Sequence, residues 1–169
     1  MVTKELPMTV RPNASRELRD AYGHTASGVV AVCALVDGEP VGMAASSFVP
    51  VSLDPPLVSF CAARTSRTWR VLRTAPGLGV SVLGENHGDL CRRLSAPAGD
   101  RFAGVQWEAG ETGAIFLQET ALWLECSLDA EVDAGDHVIA LLRLHRVTPF
   151  PRIRPLVFHR GRFERLEAV

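Results

Sequence analysis

Three apolar runs of strand length, GVVAVCALV (28–36), VGMAASSFV (41–49) and LVSFCA (57–62), follow one another across joints of only a few residues. Parallel strands need a crossover of about a dozen residues or more, so joints this short confine the chain to antiparallel pairing. The first two runs read as a hairpin across DGEP. The next joint ends in Pro55 and Pro56, which exclude helix and hold the residues before them extended or turned, so 45–60 reads as strand, corner, strand.

The remainder alternates short helices with more strands. NASRELRDAY (13–22) opens with Asn13 and Ser15 as candidate caps and carries charge at helical spacing, predicting a helix that ends at Gly23. In SRTWRVLRTA (66–75), Trp69 and Leu72 fall on one side while Arg67, Arg70 and Arg73 recur every third residue, which predicts an amphipathic helix with Ser66 near its N-cap. GLGVSVLG (77–84) reads as strand, HGDLCRRLS (87–95) as a short helix, and 96–114 as a Pro/Gly-rich loop. From 121 to 132, Leu122, Leu124, Cys126, Leu128, Ala130 and Val132 alternate with Glu125, Ser127, Asp129 and Glu131, the pattern of a strand with one wet face. GDHVIALLRLHRV (135–147) follows across a tight turn, and PLVFHRGRFERL (155–166) predicts a closing strand or hairpin. Roughly six or seven strands with short interposed helices favour a mainly β fold, an antiparallel barrel, over a βαβ sheet.

Composition narrows the function classes. At 169 residues, 47% of them apolar, the chain is expected to fold as one domain, and disorder is excluded. Its 18 basic and 19 acidic residues give no field that favours nucleic acid or an anionic membrane. Cys33, Cys61, Cys91 and Cys126 form no Cys-x-x-Cys pair, and all but Cys91 lie in apolar runs, which suits buried free thiols in a reducing compartment. With no apolar stretch of signal-peptide or membrane-span length, a soluble cytoplasmic protein is expected, in which the Asn13 sequon is idle.

Several chemistries are excluded by missing motifs. GLGVSV lacks a third glycine and leads into a strand, so it is not a dinucleotide fingerprint. Neither a phosphate-binding Gly-Lys-Ser/Thr loop nor a Gly-x-Ser-x-Gly elbow occurs. His137 and His145 share a strand but stand eight positions apart at about 3.3 Å each, too far to share a metal ion, and no metal site is expected. His87 and His145 read as surface residues. Two segments remain. Ser46, Ser47 and Ser52, with Phe48 and Leu53, either form a plain turn or grip a flat polar heterocycle by its edge. Arg64, Thr65, Ser66, Arg67 and Thr68 either form a solvated basic helix face or hold a phosphate at the helix start. Strand 57–62 connects the two, so a ligand with a ring at one end and a phosphate at the other would span both.

The run from GHTASGVVAV through the GMAASSF strand, the SLDPPLV corner and ARTSRTW resembles the short-chain flavin reductase family, and DRFAGVQW, ALWLECSL, AGDHVIALLRL and PLVFHRGRF continue the match in order. The resemblance implies a split antiparallel β-barrel over 16–169 behind an N-terminal extension at 1–15. It further implies a homodimer that binds FMN or FAD and reduces it with NADH or NADPH for a partner monooxygenase. Carried over by motif, Gly42, Met43, Ala44, Ala45, Ser46 and Ser47 line the flavin ring and ribityl chain, and Ser52, Pro55 and Pro56 shape the corner. Ala62, Ala63, Ser66, Arg67 and Thr68 receive the phosphate end. His137, implied as the catalytic-site positioning residue, lies with Phe158, His159, Arg160 and Gly161 near the nicotinamide, while Arg93 and Phe102 lie at the rim. Departures from the family pattern are Cys33, Ala44, Ala45, Phe158 and Phe163, at positions where hydroxyl, amide or phenol groups are common. Two other classes compete: a flavin-binding electron carrier or redox sensor without turnover, and an oxidase acting on a phosphorylated pyridine.

Overall fold

The structure, a computed structural model, describes residues 15–166. In chain order its elements are α1 Ser15–Tyr22, β1 Ser27–Gly28, β2 Val30–Val36, β3 Glu39–Ala45, β4 Val49–Leu53, β5 Pro56–Ala63, α2 Arg67–Leu72 and β6 Leu78–Val82. They continue with α3 Gly88–Ser95, β7 Trp107–Ala109, β8 Ile115–Leu117, β9 Leu122–Ala134, β10 His137–Pro149, β11 Val157–His159 and β12 Arg162–Glu164. The proposed N-terminal extension and the Asn13 cap lie outside the described residues.

Seven strands form one antiparallel sheet in the order β3-β2-β6-β9-β10-β5-β4. Four strands separate β3 from β5 in that order, yet the Ser47 hydroxyl just past β3 accepts the Cys61 N–H of β5 at 2.8 Å. The sheet therefore curls back on itself as a split, incompletely closed barrel. Smaller sheets, β1-β11-β12 and β7-β8, pack outside it.

The continuous apolar run of β2 has a direct cause. Val30, Val32 and Ala34 face a core with Phe60, Trp69, Leu72, Val80 and Leu142, while Val29, Ala31 and Cys33 face a second core with Leu83, Leu90, Leu94, Ile115 and Leu117. A strand buried on both faces has no wet face to encode. The second core depends on a close approach: a Cβ on Gly79 of β6 would collide with the backbone of Ile115.

Several boundaries and faces differ from the sequence expectation. The described residues contain twelve strands instead of six or seven: β1 separates from β2, the 41–49 run divides into the end of β3 and the start of β4, the 96–114 loop contains β7, β8 precedes β9, and the closing segment is the β11–β12 pair. The corner is strand, turn, strand as expected, with a cis Asp54–Pro55 bond. Helix α2 stops at Leu72, ahead of Pro76, and Ser66 caps it by accepting the Trp69 N–H at 3.1 Å.

The wet-face pattern of β9 fails past Leu128. Leu128 pairs with Leu142 and Ala130 with Leu141, so Asp129 is an inserted bulge residue and the alternation reverses beyond it. Glu131 then faces inward opposite the buried Ala140, while Val132 faces solvent. The Glu131 carboxylate accepts the Trp69 indole N–H at 2.7 Å and pairs with Arg73. His87 is not a surface residue either: it is half-buried at the N-terminus of α3, where its Nδ1 accepts the Gly84 N–H at 3.2 Å. Burial holds its imidazole below the ordinary value, opposed by Glu119.

Candidate functional site: a three-part trough

Small residues open the centre of the site. Along β3, Met43 packs toward the barrel core while Ala44 turns to the opposite face, as strand alternation requires. Ala44, Ala45 and Ser46 line a cleft of about 330 Å³ with Val29, with Cys91, Arg92 and Ser95 of α3, and with Phe158, Gly161 and Phe163 of the β11–β12 hairpin. Its surface is mainly aliphatic and aromatic. Arg92 lies 5.0 Å above the Phe163 ring and pairs with Asp89 at 2.7 Å.

Ser95 also lines a second cleft, of about 570 Å³, with Val41, Ser66, Arg67, Thr68, the 96–99 segment and Arg101. Arg101 donates to the carbonyls of Gly42 at 2.9 Å and Ala96 at 2.6 Å and to the Thr68 hydroxyl at 2.7 Å. Arg67 reaches the Pro97 carbonyl at 3.4 Å. Among the described residues neither guanidinium has a carboxylate partner, so this cleft presents two cations whose charge is met only by neutral dipoles.

At the other side, Ser46, Phe158 and Gly161 are shared with a third cleft of about 600 Å³, lined also by Arg19, Asp20, Tyr22, Gly23, His24, Thr25, Ser27 and Arg160. The three clefts adjoin: the central one shares Ser95 with the second and Ser46, Phe158 and Gly161 with the third.

Of the expected site residues, Ala44, Ala45, Ser46, Phe158 and Gly161 come together in the central cleft, Ser66, Arg67 and Thr68 in the second, and Arg160 in the third. Gly42 serves a different purpose. It packs between Cys33 and Phe102, where an added Cβ would lie 2.6 Å from Cys33 Sγ and 2.8 Å from Phe102 Cζ, and its carbonyl receives Arg101. The Ser47 hydroxyl is engaged with the Cys61 backbone, and Ala62 is buried in the barrel core. Ser52, Pro55, Pro56 and His159 line none of the three clefts. Arg93 lines a separate polar cleft with Asn86 and His87, because adjacent helix positions differ by about 100° and the one facing the trough is Arg92.

His137 is not brought to the Phe158–Gly161 segment within the chain. It opens β10 in register with Ala63, three residues before Ser66, and its Nδ1 is 2.8 Å from Asp136. That hydrogen bond holds the Asp136 carboxyl below the usual carboxylate range. Arg101, Ser95, Arg92 and the end of α1 are site-lining residues that sequence reasoning missed. Arg101 sits in a Pro/Gly-rich loop with no periodicity to mark it, and Arg92 and Arg93 are indistinguishable until the helix is packed.

Burial raises the Cys91 thiol above its ordinary value, so the cysteine in the central cleft is a protonated apolar wall. Among the described residues no group of three or more His, Cys, Asp and Glu side chains could hold a metal ion, and no helix is long and apolar enough to cross a membrane. An apolar slot that shares a wall with a two-guanidinium cleft fits a ligand with a flat ring and a phosphate, the form of a flavin nucleotide.

Comparison with known proteins agrees. Residues 22–167 match the model of the flavin reductase like domain. The chain is similar to the reductase subunit HsaB of a flavin-dependent monooxygenase from Rhodococcus jostii, 36% identical over 90% of this chain and 78% of that one. It is 41% identical to a probable flavin reductase of Rhizobium meliloti over 85% of this chain, spanning 45% of that longer protein. Among solved structures, the NADH:FAD oxidoreductase SgcE6 of Streptomyces globisporus, in complex with NAD and FAD fragments, superposes with a TM-score of 0.90 at 33% identity, over 95% of this chain and 98% of that one.

Proposed function

This chain belongs to the flavin reductase like domain family, and from that membership we propose how its trough reduces FMN or FAD with NADH or NADPH. The observation that carries the reading is the junction at Ser95, where the apolar central cleft runs into the cleft of Arg67 and Arg101.

The chemistry supplied when both nucleotides are bound is direct hydride transfer from the nicotinamide to flavin N5. The chain's own residues bind and orient. Ser66, Arg67, Thr68 and Arg101 hold the flavin phosphate, and Ala44, Ala45 and Ser46 lie along the ring. The turn after β3 meets the ring's polar edge, where negative charge gathers on reduction and hydrogen-bond donors stabilise it. Phe158, Arg160 and Gly161 form the nicotinamide side. Since hydride passes without a side-chain acid, base or nucleophile, His137 is no proton carrier, and because this chain holds it beside Ala63 and apart from Phe158 and Gly161 it positions the nicotinamide only across the homodimer.

Released reduced flavin supplies a partner monooxygenase, and a homodimer acting in the cytoplasm completes the reading. The partner monooxygenase has its support in the reductase-subunit relative, HsaB. The test is anaerobic mixing of the purified protein with NADH or NADPH and excess FMN or FAD, following loss of visible flavin absorbance. Multiple turnovers of free flavin are expected. Tight flavin binding without bleaching by either nucleotide would overturn the reductase and leave a flavin-binding protein.

A further inference from the structure

Hydride transfer changes the charge that the central cleft must hold. The nicotinamide gives up a hydride, two electrons and one proton, and leaves as its oxidised cation; the flavin ring gains that hydride at N5 and, taking up no second proton, becomes an anion. The cleft thus ends the step with one more negative charge than it began with, and an apolar slot is a costly place for a charge without a partner. Among the described residues that line it, Arg92 alone is charged. At about 330 Å³ the cleft stands at the lower end of the range for one ligand, so a bound ring fills the space that Arg92 borders.

Arg92 is held there from two sides. Its guanidinium carbon lies 5.0 Å from the centroid of Phe163, itself a lining residue. One turn earlier on the same face of α3, Gly88 lets that ring come so close that an added Cβ would sit 3.1 Å from Phe163 Cδ2. On the other side, Asp89 accepts from the Arg92 guanidinium at 2.7 Å, and Asp89 lines the separate polar cleft and not this one. Burial dominates the Cys91 thiol and raises it, while the Ser95 hydrogen bond and the Arg92 charge oppose that rise, so the charge is felt at the cleft wall. The Arg92 side chain is 67% exposed, which makes its influence that of a charge screened by solvent.

We propose that Arg92 stabilises the negative charge that a reduced flavin ring brings into the central cleft, and so favours reduced over oxidised flavin there. This rests on the flavin reductase reading above. It gives Arg92 a task that the Arg67–Arg101 cleft cannot perform. A phosphate carries the same charge before and after hydride transfer, so contacts to it bind both states alike, whereas a charge bordering the ring tells them apart. Asp89 acts through Arg92, holding the guanidinium in place and tempering its charge.

The experiment measures the Kd of oxidised FMN and, anaerobically with dithionite, of reduced FMN for the wild-type chain, Arg92→Met, Arg92→Lys and Asp89→Asn. The ratio of the oxidised to the reduced Kd is expected to fall about fivefold in Arg92→Met, the upper end for a solvent-screened charge. That fall lowers the reduction potential of bound FMN by about 20 mV. Arg92→Lys keeps the ratio near wild type, and Asp89→Asn raises it. An Arg92→Met ratio equal to wild type overturns the assignment, even where both Kd values change together. So does an Arg92→Lys ratio as low as that of Arg92→Met, or an Asp89→Asn ratio that does not rise. A wild-type chain that binds neither state of FMN overturns the flavin reductase reading, and the assignment with it.

Discussion

The Arg101 guanidinium donates to the Thr68 hydroxyl at 2.7 Å across 33 positions of sequence. The same side chain reaches the Gly42 carbonyl, so one residue of an irregular loop ties the first turn of α2 to β3. The cation is thereby held in place before any ligand arrives, and a preorganised charge loses less entropy on binding than a mobile one.

Arg67→Ala and Arg101→Met are each expected to weaken FMN by roughly tenfold or more, the loss of one charge-assisted hydrogen bond at about 1.5 kcal/mol. Titration of FMN beside riboflavin, which lacks the phosphate, measures this. For Arg67→Ala the riboflavin affinity stays close to wild type, and equal losses for both ligands would remove Arg67 from the phosphate end.

His137→Ala is expected to raise the nicotinamide KM several-fold with flavin affinity unchanged. Steady-state kinetics with each substrate varied in turn separate the two. The reverse pattern, lost flavin affinity at constant nicotinamide KM, would move His137 to the phosphate end, beside Ala63 where its register puts it.

His87 links stability to pH. Its folded value lies below that of the unfolded chain because burial disfavours the imidazolium. The unfolded state therefore binds the extra proton. The His87 contribution is fully present above about pH 6.5 and is lost as pH falls through the lowered folded value. Urea midpoints at pH 7.5 and 5 should differ more for wild type than for His87→Asn, which places a favoured, non-titrating N-cap residue there. Identical pH dependence in the two proteins would show that His87 carries none of the acid sensitivity.

Glu131→Ala is expected to destabilise the fold by about 2–3 kcal/mol, since it strands the indole N–H of the buried Trp69 and removes the partner of Arg73. Glu131→Gln keeps an acceptor for Trp69 and should lose less. Urea unfolding gives both numbers, and a Glu131→Ala midpoint within error of wild type would show that the Glu131 contacts to Trp69 and Arg73 carry none of the stability.

The sequence by itself determined the antiparallel class, the strand-corner-strand at 45–60, the hairpin of β2 and β3 and the start of α2. Each follows from short-range causes: joint length, proline geometry, turn residues and a capping serine act within a few positions of where they stand. Tertiary structure alone decided the rest. Inserting Asp129 as a bulge is a property of two paired strands, and it turned Glu131 inward against the alternation its own strand spelled out. Packing of α3 chose Arg92 over Arg93 for the trough, although the two are chemically identical neighbours. Arg101 and Tyr22 came to line clefts beside the central one only when the curled sheet carried an irregular loop and a helix end there, a meeting of distant segments that no local pattern encodes.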